Sequence, residues 1–183
     1  MSLDEGWPSV TAIIPCYNAE KYLEKSLKSV FDQDYPHIEI VAVDDGSSDL
    51  TADILLQHSP PVRILRHPNG ENRGQGASLN LGVHCSDSEL IAFLDADDLW
   101  YQKKIKKQVQ VFQRHPEVGL VYTNGYYINE QDLPLHPLKS SDFNEINQTG
   151  RILLCCYTGP PSAIMVRSST LDQVGEFRSD LWL

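Results

Sequence analysis

Ile91-Ala92-Phe93-Leu94-Asp95-Ala96-Asp97-Asp98 is an apolar run that ends in three carboxylates. Four apolar residues bounded by charge read as a buried strand, with the acids at its carboxyl end. Like charges this close repel, so the cluster costs stability unless a cation, hydrogen bonds or water offset it. Asp95 and Asp97 share a parity, and an extended segment projects both to one side. Two carboxylates on one side are hard oxygen ligands of the kind that hold Mg²⁺ or Mn²⁺. A second reading fits the same stretch taken alone: a solvated acidic turn in which Asp97 or Asp98 caps the next helix.

A second acidic strand end lies upstream. The β-rich run His37 to Val43 leads into Asp44-Asp45-Gly46-Ser47-Ser48-Asp49. Gly46 permits a tight turn, and Ser47, Ser48 or Asp49 can cap the helix that follows. Between the two acidic ends, Asn72-Arg73-Gly74-Gln75-Gly76-Ala77-Ser78-Leu79-Asn80 is polar, glycine-rich and leads into a helix. Its backbone amides and Arg73 suit a phosphate or nucleoside; a connector whose glycines only permit turns is the plainer alternative. Polar loops at the carboxyl ends of successive apolar strands fit one binding crevice.

Apolar runs and helical patterns alternate along the chain. Strands are expected at Val10 to Pro15, Ile38 to Val43, Val62 to Leu65, Leu90 to Leu94, Val118 to Thr123 and Ser162 to Val166. Helices are expected from about Ala19 to Asp32 with Asn18 as cap, then over Leu50 to His58, Ala77 to Cys85, Lys103 to Arg114 and Gln148 to Cys156. Strands separated by helical crossovers make an α/β fold with a largely parallel sheet covered on both faces. Glu130 to Asn147 lacks a clear period and contains Pro134 and Pro137, so it reads as an irregular surface excursion.

The 183 residues suffice for one sizeable core, and 41% hydrophobic with 22% charged residues describe an ordinary globular chain. The formal charge of −10, from 15 basic against 25 acidic residues, argues against a nucleic-acid partner. Cys16, Cys85, Cys155 and Cys156 lack zinc-ligand spacing and read as reduced thiols. No membrane-spanning run is visible, and the expected location is cytoplasmic.

In order and spacing these motifs resemble family 2 of the glycosyltransferases, inverting enzymes with a GT-A nucleotide-sugar-binding fold. The matching stretches are Val10 to Asn18, Val41 to Asp49, Asn72 to Gly82, Phe93 to Asp98, Pro161 to Arg167 and Val174 to Phe177. They span almost the whole chain. The resemblance implies a Rossmann-related fold with a mainly parallel sheet and one domain over 1–183, incomplete at its C-terminal end. Its nucleotide-binding part would cover about 8–100 and its acceptor-side part about 101–183.

The resemblance also implies site roles. Pro15, Tyr17 and Asn18 would line the nucleoside at the first strand's end, Tyr17 offering a ring face and a hydroxyl. Asp45 would read the base, with Asp44 close by, and Arg73 would contact the nucleotide. Asp97 would bind Mn²⁺ or Mg²⁺, while Asp95 meets ribose or the metal shell. The family's acidic pair after Gly-x-Phe is absent between Phe177 and Asp180; Asp180 matches the family's later aspartate in spacing and is only a stand-in for the catalytic base. The implied donor is UDP-linked. The implied acceptor is a saccharide or lipid-linked glycan at the inner face of a membrane, and a homodimer is compatible with it.

Two other functions compete. A sugar nucleotidyltransferase would want a glycine- and basic-rich loop directly after the first strand, where this chain has Cys16-Tyr17-Asn18-Ala19. A non-catalytic nucleotide-sugar-binding module would keep the pocket and lack the base.

Overall fold

The computed structural model describes residues 6–139 and 158–180. The elements in order are β1 (Val10–Cys16), α1 (Leu23–Phe31), β2 (Ile38–Asp44), α2 (Thr51–Gln57), β3 (Val62–Arg66) and α3 (Gly74–His84). Then follow β4 (Leu90–Phe93), α4 (Lys104–Arg114), β5 (Leu120–Tyr122), β6 (Tyr126–Ile128), β7 (Pro134–Pro137), β8 (Ile164–Arg167) and α5 (Ser168–Val174). Six strands form one sheet in the order β3-β2-β1-β4-β8-β5. β3, β2, β1 and β4 run parallel, and β8 is antiparallel to both of its neighbours.

The apolar runs form this sheet because both of its faces are buried. Val10, Ala12 and Ile14 of β1 join Leu23, Leu27 and Val30 of α1, Leu55 of α2, and Ile105, Val109 and Phe112 of α4 on one face. Ile13, Ile91 and Phe93 point to the other face, against Leu79 and Val83 of α3 and Leu171 of α5. A parallel strand covered on both sides has no polar parity to show, so these strands read as continuous apolar runs. Strand order reverses between β1 and β4. That switch point opens a crevice above the strands' carboxyl ends, where α/β sheets take their ligands.

Several expected boundaries move. α1 begins four residues late, and Asn18 does not cap it; Asn18 takes φ +47, a conformation Asn tolerates better than most residues. Its amide group instead turns toward the β2 loop. α3 begins at Gly74, so Gly74 and Gly76 belong to its first turn rather than to a connector. Within the excursion expected from Glu130, residues 134–137 are not irregular: β7 pairs antiparallel with β6 in a separate two-stranded sheet. Both prolines sit in β7, whose only strand partner among the described residues is β6, and a two-stranded ribbon tolerates an edge proline. The helix expected over Gln148 to Cys156 lies outside the described residues.

Candidate active site

Each predicted site residue of the nucleotide-binding half sits at the carboxyl end of β1, β2 or β4, or at the first turn of α3. Short hydrogen bonds stitch these four segments together. The Asp45 N–H donates to Cys16 O at 2.8 Å, and the Leu94 N–H to Ile13 O at 3.0 Å, which continues the sheet past its strand ends. Asn18 and the β2 loop are tied reciprocally. The Asn18 N–H donates to Ser47 Oγ (3.1 Å), and its Oδ1 accepts from the Ser48 N–H (2.9 Å). Pro15 is half-buried beneath this junction, while the Tyr17 side chain is 55% exposed at the rim. A ring left open to solvent beside a strand-end crevice is available for stacking.

Asp44 and Asp45 are both buried, and their tasks differ. Asp44 Oδ1 accepts the Ser47 N–H at 3.0 Å, and its Oδ2 accepts Arg66 Nε at 3.0 Å, so this carboxylate shapes the loop. Asp45 reaches across to α3. Its Oδ1 accepts the Arg73 N–H at 2.7 Å and its Oδ2 the Gly74 N–H at 2.9 Å, with His67 Nε2 3.4 Å from Oδ1. It thus satisfies orphan N–H groups at the start of a helix, where a negative charge is favoured. A carboxylate has about four acceptor positions, so the Gly74 bond leaves capacity on Oδ2. Arg73 meets Asp45 through its backbone; its side chain is exposed.

The acidic run after β4 departs from the extended geometry expected of it. The Asp98 N–H donates to Asp95 O at 3.0 Å, closing a turn over Asp95 to Asp98. Strand parity therefore does not set the two side chains; turn geometry does, and it leaves Asp97 exposed and Asp95 half-buried. Neither Asp97 nor Asp98 caps a helix, since α4 starts only at Lys104. Burial, with Asp98 and then Asp97 adding repulsion, pushes the Asp95 carboxyl up to about 6. Asp98 is raised as well, chiefly by burial and further by Asp97, against a lowering by its hydrogen bond with Ser162. Three carboxylates are thus held together, and among the described residues no ion pair joins them to a cation.

Two partners of this turn escaped the sequence reading as site residues. Gln75 Nε2 donates to Asp95 Oδ1 at 2.6 Å, joining α3 to β4 across the crevice. Ser162 Oγ accepts the Asp95 N–H at 2.9 Å, and its hydroxyl lies close enough to the Asp95 and Asp98 carboxyls to favour their charged forms. Gln75 could have been found as an amide in the first turn of a helix already suspected of facing ligand. Ser162 could not, because only the pairing of β8 beside β4 brings it there.

Asp180 lies beyond α5 in a segment laid against α3. A Cβ placed on Gly76 would stand 2.5 Å from Arg178 O, so the segment presses on the turn that carries Gln75. Asp180 itself is exposed, and Arg178 grips both its oxygens, Nε to Oδ1 at 3.0 Å and Nη2 to Oδ2 at 2.6 Å. That pairing holds its carboxyl below the usual range. A groove of about 750 Å³ opens elsewhere, between α1, residues 99–102 and Asp132, and none of the predicted site residues lines it.

Among the described residues no group of three His, Cys, Asp or Glu side chains is arranged to hold a metal ion. A hard cation at Asp95 and Asp97 would therefore complete its shell from substrate oxygens, as Mg²⁺ commonly does. The repulsion at this turn, which the bonds from Gln75 and Ser162 offset only in part, fits such an ion.

A mainly parallel sheet with an acidic turn at its switch point is the architecture of GT-A nucleotide-sugar transferases, and solved structures agree. TarS from S. aureus in complex with UDP superposes with a TM-score of 0.77 at 24% identity, over 94% of this chain and 51% of that one. A mannosyltransferase from Pyrobaculum calidifontis in complex with GDP-Man and Mn²⁺ gives 0.69 at 23% identity, over 97% and 49%.

The family follows from sequence. The glycosyl transferase family 2 profile matches residues 11–172, and the chain belongs to that family. A putative teichuronic acid biosynthesis glycosyltransferase of Bacillus subtilis is 38% identical over 126 residues, 68% of this chain and 49% of the relative. The chain spans about half the length of the curated relatives it matches.

Proposed function

We propose that this protein transfers a sugar, with inversion, from a UDP-linked donor to an acceptor hydroxyl. The observation that carries the reading is the turn at the switch point, where Asp95, Asp97 and Asp98 sit together and, among the described residues, no ion pair joins them to a cation. Asp97, the exposed member, would hold Mn²⁺ or Mg²⁺, with Asp95 contributing to the metal shell or to ribose. The ion supplies charge neutralisation for the departing diphosphate. Tyr17 stacks on the base from the rim, Pro15 and Asn18 shape the floor beside it, and Asp45 accepts the ring N–H through Oδ2. Asp44 keeps the loop in register, and Arg73 closes over the nucleotide. A bond forms from the acceptor oxygen to the anomeric carbon as the bond to the diphosphate oxygen breaks. The acceptor proton passes to a carboxylate, for which Asp180 is the candidate.

The acceptor class is a saccharide or lipid-linked glycan of the cell envelope; the B. subtilis relative is named for teichuronic acid biosynthesis. Such an acceptor would bring the protein to the inner face of a membrane. Among the described residues no helix is long and apolar enough to cross one. The arginine clasp on Asp180 supports a second reading, a nucleotide-sugar-binding module without turnover.

Calorimetric titration of UDP, with and without Mn²⁺, tests the donor site. Binding that needs the metal and disappears in Asp97→Ala is the expected result. GDP and dTDP run in parallel examine the base, and uptake of no nucleotide under any metal condition overturns the transferase reading. Release of UDP from donor only when acceptor is added separates turnover from binding.

A further inference from the structure

Lys104, at the start of α4, is 8% exposed. Its Nζ donates to Gln108 Oε1 at 2.8 Å and stands 4.2 Å from the centroid of the Trp100 ring. Among the described residues no ion pair joins it to a carboxylate, and burial pulls its amine down to about 7. An enclosed lysine without a counter-ion is costly to hold, and a methionine of similar length would fill the same space without that cost. The core gives no account of why it is a lysine.

The neighbours of Lys104 give one. The Trp100 indole N–H donates to Ser162 O at 2.9 Å. Gln108, also enclosed, donates through Nε2 to Ala163 O (3.1 Å) and to Val121 O (3.0 Å). Two adjacent carbonyls in the Pro161–Ala163 turn are thus held by the two groups that the Lys104 amine touches. From that turn the Ser162 Oγ accepts the Asp95 N–H at 2.9 Å, and the hydroxyl favours the charged forms of Asp95 and Asp98. In its protonated form the amine over the indole face, with a charge-assisted bond to Gln108, fixes both holders more firmly than an apolar side chain would.

We propose that Lys104 is a positioning residue for the donor site: through Trp100 and Gln108 it sets the Pro161–Ala163 turn, so that Ser162 holds the acidic turn in the shape that takes a metal–diphosphate. The inference rests on the reading of Asp95 and Asp97 as the metal–diphosphate site. It assigns a role to a side chain that touches neither substrate nor ion.

The test compares wild type, Lys104→Met, Ser162→Ala and the double variant by calorimetry with Mn²⁺ and UDP. Lys104→Met is expected to weaken Mn²⁺-dependent UDP binding by about three- to thirtyfold while its melting temperature holds or rises. The double variant is expected to bind no more weakly than Ser162→Ala, since both changes act through one hydroxyl. Lys104→Arg, which keeps a cation on the indole, is expected to bind more tightly than Lys104→Met and gives a second reading should the methionine variant fail to fold. Wild-type affinity in Lys104→Met, or additive losses in the double variant, overturns the proposal. Should wild type itself take up no UDP, the donor reading falls, and ligand-free hydrogen exchange at the Asp95 amide decides this inference by itself. Faster exchange in Lys104→Met supports it, and unchanged exchange overturns it.

Discussion

Asn80 holds Phe177 by both ends of its amide: Nδ2 donates to Phe177 O and Oδ1 accepts the Phe177 N–H, each at 2.9 Å. A residue in the middle of α3 thereby docks the segment after α5, and the Phe177 ring settles edge-on against Phe93 at 5.4 Å between centroids. Asn80 is buried, so removing its amide strands a donor and an acceptor on the partner backbone. Asn80→Ala is expected to cost about 1–3 kcal/mol in urea unfolding. It should also expose residues 175–180 to protease before the sheet unfolds. Equal protection of that segment in both proteins would refute the clamp.

Gly46 sits where the two polar loops meet. Its φ is +76, and a Cβ there would lie 2.6 Å from Gly70 O and 2.9 Å from Asn72 N. Both neighbours are backbone, so neither can rotate away. Gly46→Ala is expected to lower stability by about 1–3 kcal/mol. It should also displace Asp44 and Asp45, and with them UDP binding. A variant that melts like wild type would show that the loop accommodates the methyl group.

The acidic turn makes metal affinity depend on pH. The Asp95 carboxyl stands at about 6 when folded, above the roughly 4 of an unfolded aspartate. Its favourable contribution to folding is therefore fully present below pH 4 and is lost as pH rises through 6. A cation binds the deprotonated form, so its affinity should rise across the same window. Mn²⁺-dependent UDP binding is expected to be about tenfold weaker at pH 5 than at pH 7, and level above that. In Asp95→Asn the slope should disappear along with much of the affinity. A slope that persists in Asp95→Asn would assign the proton to another group.

The parts of this molecule legible in its sequence are those set by local burial. β1, β2 and β4 are apolar because both faces are covered, and the acids of β2 and β4 stand out because charge follows directly on a buried strand. The shape of the acidic turn was not legible, since the backbone bond from Asp98 to Asp95 overrides the alternation that a strand would impose. β7 was hidden by Pro134 and Pro137, which argue against a strand wherever both edges are paired and are harmless at an unpaired edge. Ser162 was invisible for a different reason. Its place beneath Asp95 depends on β8 inserting beside β4 from far along the chain, and no local pattern records that.

Asp180 provides the decisive chemical test. A positioned general base contributes about 10²–10⁴-fold to a transfer of this kind. Asp180→Asn is therefore expected to lower turnover by at least about a hundredfold while UDP binding stays intact. Arg178 holds the Asp180 carboxyl low, which keeps it ionised and makes it a weaker proton acceptor. Arg178→Ala releases that hold and lets the carboxyl rise toward its ordinary range. Because the base works only when deprotonated, the acid limb of the kcat/KM profile should move to higher pH in Arg178→Ala. An unmoved limb, or full turnover in Asp180→Asn, would place the base on another carboxylate.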